Sequence, residues 1–233
     1  MVRQKEHIAI ILARGGSRRL PNKNILEFFG KPMIAWTIQA AKESEKFDRI
    51  VISTDDKSIA GIGRKYGAEV PFLRNEKSDD IAPASEATLV ALRQAENYYN
   101  EEYKFVTQLM ANCPLRNSAD ISSAIKRFHQ SKTESQISCF RFGWMNPWWA
   151  VRLDDQGKPQ YLFPTSMSER SQDLPDLYGA SGAIWIAKVD TLKKNGTFYS
   201  PNHQFYPLSW KSALDIDNAD DLKMAKVCFG FQE

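Results

Sequence analysis

A chain of 233 residues, 42% hydrophobic and 25% charged, has the composition of a soluble globular protein and is long enough to fill the core of one α/β domain. Its net charge of +3 is too small to mark nucleic acid or an anionic membrane as a ligand. Cys113, Cys139 and Cys228, an odd number without metal-ligand spacing, read as reduced thiols of a cytoplasmic protein, and no apolar stretch reaches the ~20 residues of a membrane span.

The first element, residues 8–12, is apolar without alternation, which predicts a strand buried on both faces, as in a parallel sheet. The apolar run stops at Arg14, too early for a secretory leader. Gly15, Gly16 and Ser17 then permit a tight turn, and Arg14, Arg18, Arg19 and Lys23 bring four positive charges within ten residues. A buried strand that opens into a glycine turn with successive amides and cations is a phosphate site. Neither the Walker pattern nor the three-glycine dinucleotide fingerprint is met, because Leu20 and Pro21 occupy the loop.

A helix is expected to begin at Lys31-Pro32, with Ile34, Ile38 and Ala41 at helical spacing. Residues 49–53 predict a second buried strand that ends at Thr54-Asp55-Asp56. A helix over 58–66 follows, closed by a left-handed Gly67, then a short strand over 69–73. Residues 74–83 read as a polar loop, 84–99 as a helix and 104–110 as a strand. The turn 111–116 leads into a helix over 118–128, capped by Ser118. Strand and helix alternate to this point, which predicts a Rossmann-like three-layer α/β/α arrangement on a mainly parallel sheet.

The texture changes from Gln136. Phe140, Phe142, Trp144, Trp148, Trp149, Tyr161 and Phe163 crowd a turn-rich stretch, and residues 138–173 read as an arm inserted in the single domain 1–233. So many aromatics in a short arm call for cover by a partner chain, or for packing back onto their own domain. Residues 182–187 resume the sheet. A helical turn at 189–194, a strand at 205–208, the segment Leu214-Asp-Ile-Asp217 and a helix over 219–227 complete the chain.

In open α/β sheets ligands bind beyond the carboxyl ends of the strands. Residues 14–23, Asp55 and 112–116 each follow a strand, so they converge on one cleft. Asp215 and Asp217 point to one face of an extended segment. Opposite a phosphate loop they suit Mg²⁺, which shares its shell with substrate phosphates. Alternatively Asp217 or Asn218 caps the helix from Ala219. His7, His129 and His203 lie far from these motifs in sequence and offer no evident general base.

Leu12-Ala-Arg-Gly-Gly-Ser17, Leu20-Pro-Asn-Lys-Asn24 and Gly30-Lys-Pro32 together resemble, in residue type and spacing, the signature of the CMP-sialic acid synthetases, or acylneuraminate cytidylyltransferases. The resemblance covers most of the chain. It implies a glycosyltransferase-A-like nucleotide-sugar fold, a homodimer, and transfer of CMP from CTP to a 2-keto sugar acid. By its pattern Arg14 and Lys23 hold the triphosphate and stabilise departing pyrophosphate. Leu12 and Ala13 meet cytosine through their backbone, and Gly15, Ser17, Asn24 and Asn112 border the nucleotide. Arg74 lies near the nucleotide, Ser85 lines the base pocket, and Asp215 and Asp217 take the metal. Asp55 ties down the loop.

The sugar side departs from the family. The usual Leu-Gln-Pro-Thr-Ser-Pro-Leu-Arg is here Leu109-Met-Ala-Asn-Cys-Pro-Leu-Arg116, so Met110 replaces a glutamine that contacts the sugar acid. Asn-Gly-Ala-Ile-Tyr becomes Ser181-Gly-Ala-Ile-Trp185. The arm keeps Gln172-Asp-Leu-Pro175 with Arg170 before it, but Asn146-Pro-Trp-Trp149 has no lysine. With Met110, Arg170, Gln172, Ser181 and Trp185 as the sugar contacts, these changes point away from plain N-acetylneuraminate as acceptor. Two other readings stand beside this one: a sugar-1-phosphate nucleotidylyltransferase, and an inactive nucleotide- or sugar-binding regulator.

Overall fold

The computed structural model describes residues 2–74 and 83–230. The described residues hold ten strands, β1 (Arg3–Leu12), β2 (Glu27–Phe28), β3 (Lys31–Pro32), β4 (Arg49–Ser53), β5 (Glu101–Met110), β6 (Ser135–Arg141), β7 (Val151–Leu153), β8 (Pro159–Tyr161), β9 (Tyr178–Lys188) and β10 (His203–Leu208). Six helices join them: α1 (Met33–Glu43), α2 (Lys57–Lys65), α3 (Ala84–Tyr99), α4 (Ser118–Gln130), α5 (Val189–Asn195) and α6 (Ala219–Gly230). The main sheet has the order β10-β6-β9-β5-β1-β4. β1 pairs parallel with β4 and β5, and β10 parallel with β6. β9 runs antiparallel to both of its neighbours, β5 and β6.

The continuous apolar run of β1 explains its central place. Ala9 and Ile11 face one core with Ile34, Ile38, Ile59, Ile121 and Ile125 from α1, α2 and α4. Ile8, Ile10 and Leu12 face the other with Ala91 and Leu92 of α3 and Leu192 of α5. A strand covered on both faces has no use for alternation. A third, smaller cluster gathers Phe28, Met33, Leu115, Ile216 and Ala225, and it packs α6 beside the carboxyl end of the sheet.

Several boundaries differ from the sequence reading. Lys31-Pro32 does not open α1; it pairs as β3 with β2, and extended Pro32 immediately precedes the helix. Residues 69–73 form no strand beyond a single bridge between Glu69 and Val51. Gly67 does sit left-handed, with φ of 89°. The loop read over 74–83 lies, beyond Arg74 and Pro83, outside the described residues. Ser118 is the first residue of α4 rather than its cap. Asn117 caps it, accepting the Asp120 N–H at 2.9 Å while Asp120 accepts the Asn117 N–H at 3.0 Å. Asn117→Ala is expected to lower stability by about 1 kcal/mol, read as a reduced urea midpoint at unchanged slope.

The arm also starts later than expected. Residues 138–141 belong to β6, between β10 and β9, so the excursion leaves the sheet only after Arg141. It returns at Tyr178, which pairs with Arg141 across the β6–β9 ladder. Between these points β7 and β8 form an antiparallel hairpin. The Trp148 indole donates to the Pro175 carbonyl and the Trp149 indole to that of Ser166, so part of the aromatic content packs within the arm. Trp144 remains 86% exposed. No helix among the described residues is long and apolar enough to cross a membrane.

Candidate active site

The site grows from the carboxyl ends of β1, β4 and β5. As β1 ends, the Ala13 N–H donates to the Ser53 carbonyl and the Leu12 carbonyl accepts from Ala111 N–H, which ties all three strand ends together. The basic loop is then fixed from below. Asp55 accepts the Gly15 N–H at 2.9 Å, as the loop-tying role requires. A Cβ on Gly15 would stand 2.8 Å from Asp56 Oδ2, so a glycine is needed for this close approach. Ser17 N–H closes onto the Gly15 carbonyl, and buried Asn24 donates to the Arg14 carbonyl at 2.9 Å. Asn24 thus shapes the loop from inside.

The acidic segment meets this loop directly. Lys23 Nζ lies 2.8 Å from Asp217 Oδ1, and Arg19 Nη2 lies 2.7 Å from Oδ2. Buried Asn112 donates to the Ile216 carbonyl and to Asp217 Oδ1, and its carbonyl accepts the Ile216 N–H. Asp215 turns the other way: Oδ1 is 2.5 Å from the Cys113 thiol, and Oδ2 accepts the Gly182 N–H at 3.3 Å. The cap question is answered separately. Asn218 accepts the Asp220 and Asp221 N–H groups at the start of α6, which leaves both aspartates to the cleft.

The electrostatics of the pair are unequal. Burial raises the Asp215 carboxyl above its ordinary value, and the charge of Asp217 adds to this. Burial pushes Asp217 upward too, but Lys23 and Arg19 outweigh it and hold that carboxyl below the usual range. Arg74 is buried beside Asp55 and Arg14; burial lowers its pKa, and Asp55 partly restores it. Two carboxylates are hard oxygen donors suited to Mg²⁺. Among the described residues no group of three or more His, Cys, Asp or Glu gathers, so the rest of a magnesium shell would come from substrate phosphates and water.

A basic, glycine-turned loop clasped to an acid pair at the carboxyl edge of a parallel sheet suits nucleotide phosphates. Residues 8–149 match the family model described as Cytidylyltransferase. The chain belongs to the cytidylyltransferase family. This cytidylyltransferase is 33% identical to the pseudaminic acid cytidylyltransferase of Campylobacter jejuni serotype O:23/36 (strain 81-176), over 96% of each chain. It is equally, 33%, identical to the CMP-N,N'-diacetyllegionaminic acid synthase of Legionella pneumophila (strain Philadelphia 1), over 92% of each. A solved CMP:2-keto-3-deoxy-manno-octonic acid synthetase complexed with CTP shares the fold, with TM-score 0.71 at 15% identity, covering 97% of this chain and 99% of its own.

The remaining expected contacts of the cytidylyltransferase divide into two groups. Met110 ends β5 against Gly182, where a Cβ would come within 2.8 Å of the Met110 side chain. Ser181 is buried and its hydroxyl donates to the Ala213 carbonyl, so it braces the segment ahead of Asp215. The Trp185 indole donates to the Ser181 carbonyl at 2.7 Å, and its ring meets Phe198. Ser85, buried in the first turn of α3, accepts the Phe198 N–H. Arg170 and Gln172 lie exposed in the arm, with Arg170 paired to Asp173.

The sequence reading put Arg19, Cys113 and Arg116 in the cleft without giving them partners, and it missed the part Gly182 plays there. Arg116, 1% exposed, donates to the Ala183 carbonyl and to Thr37 Oγ1 and so pins the 111–116 turn between β9 and α1. Its place at the end of the Pro114-Leu-Arg116 motif was the one available signal.

Proposed function

We propose that this enzyme transfers CMP from CTP to a nonulosonic 2-keto sugar acid in the cytoplasm, releasing pyrophosphate. The observation that carries the reading is the clasp of Lys23 on Asp217 at 2.8 Å, which puts the phosphate loop and the acid pair in one cleft. The acceptor hydroxyl oxygen attacks the α-phosphorus, its proton leaves to solvent, and the bond to the β-phosphate oxygen breaks. Arg14 and Lys23 hold the triphosphate and meet the negative charge that grows on the leaving pyrophosphate. Gly15 and Ser17 shape the turn, their amides held by Asp55 and by the Gly15 carbonyl, Asn24 and Asn112 keep the loop and acid segment in register, and Arg74 adds positive charge. Leu12 and Ala13 with Ser85 border the base. Asp215 and Asp217 would hold Mg²⁺, which would supply positive charge to the triphosphate and lower the pKa of the acceptor hydroxyl.

The acceptor is of the kind for which the Campylobacter and Legionella relatives are named, rather than plain N-acetylneuraminate. Met110 gives no hydrogen bond to a sugar hydroxyl, and the one donor of Trp185 is already used on Ser181. A wall that offers fewer hydrogen bonds discriminates against an acceptor that needs them. Arg170 and Gln172 reach the sugar from the arm, whose exposed Trp144 is covered by a second copy in a homodimer.

Pyrophosphate release from CTP with Mg²⁺, measured over a panel of 2-keto sugar acids and sugar 1-phosphates, tests this. Release is expected with a pseudaminic- or legionaminic-type acid at kcat/KM at least about tenfold above that with N-acetylneuraminate. Equal or better turnover of N-acetylneuraminate sinks the acceptor assignment. Release with a sugar 1-phosphate alone sinks the reaction class.

A further inference from the structure

Asp215 and Asp217 are two residues apart, yet the protein holds them by opposite means. Asp217 is gripped by charge, from Lys23 and Arg19. Asp215 is gripped by two neutral donors, the Cys113 thiol on Oδ1 and the Gly182 N–H on Oδ2. These donors come from different parts of the fold, the turn after β5 and the middle of β9. With one donor on each oxygen, the plane of the carboxylate is fixed about its Cβ–Cγ bond. Neutral donors orient a carboxylate without pairing it to an opposite charge, whereas Lys23 and Arg19 already pair with Asp217.

Cys113 is well suited to this task. It is 0% exposed, and its thiol lies 2.5 Å from Asp215 Oδ1. The turn that carries it is itself immobilised, by Arg116 on Ala183 and Thr37 and by Asn112 on Ile216. The thiol therefore stands on a fixed base.

We propose that Cys113 is a positioning residue: its S–H sets the Asp215 carboxylate for a divalent cation, and so governs cation affinity without governing CTP affinity. This rests on the magnesium assignment under the proposed function. Donors that orient a metal ligand commonly alter metal affinity by about 10–100-fold when removed. Serine, which stands at this place in the sialic acid synthetase pattern, supplies a stronger donor of similar reach.

The test is Mn²⁺ binding in the presence of CTP, followed by the loss of the free-ion electron paramagnetic resonance signal, for the wild-type protein, Cys113→Ala and Cys113→Ser. Metal-free CTP binding is measured in parallel by calorimetry. Cys113→Ala is expected to weaken Mn²⁺ binding about tenfold while CTP affinity stays within about twofold, and Cys113→Ser is expected to bind Mn²⁺ at least as tightly as wild type. Wild-type Mn²⁺ affinity in Cys113→Ala overturns the positioning role alone. Should Cys113→Ala fail to fold, Cys113→Ser decides: Mn²⁺ binding weaker than wild type overturns the proposal. No Mn²⁺ binding by the wild-type protein with CTP bound overturns the magnesium assignment beneath it.

Discussion

Lys23→Ala lowers kcat/KM for CTP by about 10²–10³, the usual loss when a donor aimed at developing transition-state charge is removed. Lys23 is half-buried and lies 2.8 Å from Asp217, at the junction of the phosphate loop and the acid segment. Under the proposed function, the triphosphate oxygens would compete with Asp217 for this ammonium. The same substitution leaves the fold nearly unchanged, because Asp217 retains Arg19 and Asn112. The melting temperature should therefore stay within about 3 °C while activity collapses. Lys23→Arg restores little, since a planar fork cannot replace a compact ammonium on this stem. Steady-state pyrophosphate release beside a thermal melt checks both halves. A variant within threefold of wild type in kcat/KM would remove Lys23 from the charge-stabilising role.

Arg116→Ala has the opposite signature, a large loss of stability. The side chain is buried, donates at 2.6 Å to the Ala183 carbonyl and at 2.7 Å to Thr37 Oγ1, and fills the space between α1, β9 and the 111–116 turn. Truncation leaves a cavity and two buried acceptors without their donors. Together these cost about 3–5 kcal/mol, or about 10 °C in melting temperature for a chain of this size. Arg116→Lys recovers only part, because one ammonium cannot span both acceptors at guanidinium spacing. Burial lowers the pKa of Arg116. A melt within about 2 °C of wild type would show that the turn does not depend on this side chain.

The basic loop was legible because it is contiguous: a two-faced apolar strand, a glycine turn and cations within residues 8–24. The alternate spacing of Asp215 and Asp217 put both on one face but left a capping role open, and only the resemblance to the sialic acid synthetases set them in the cleft. What escaped joins distant segments. Cys113 meets Asp215 across 102 positions, and Arg19 meets Asp217 across 198. No local pattern encodes such contacts. The strand β6 was hidden for a different reason. Its Ser135, Gln136 and Ser138 are polar yet fully buried, because each hydrogen-bonds to the backbone of a neighbouring segment: Phe198, Ala124 and Ser181. A strand whose core positions are satisfied by hydrogen bonds lacks the apolar run by which strands are read. The shift of the α4 cap from Ser118 to Asn117 is a one-residue ambiguity between two good capping residues, decided by Asp120.

The arm hangs from two neighbouring strands of opposite direction, with Arg141 and Tyr178 paired at its root and the Phe142 N–H bonded to the Leu177 carbonyl just beyond. The sheet has therefore already closed the loop, and lengthening, trimming or replacing its contents changes the closure entropy only slowly. Nothing in the registers of β1, β4 and β5 is disturbed by such an exchange. The cleft is tied into the ends of β1, β4 and β5, whereas the arm joins the sheet only at its root, so its contents can be exchanged without moving the cleft. Grafting the arm of a relative between Arg141 and Tyr178 is accordingly expected to leave the fold of the sheet and of the cleft intact.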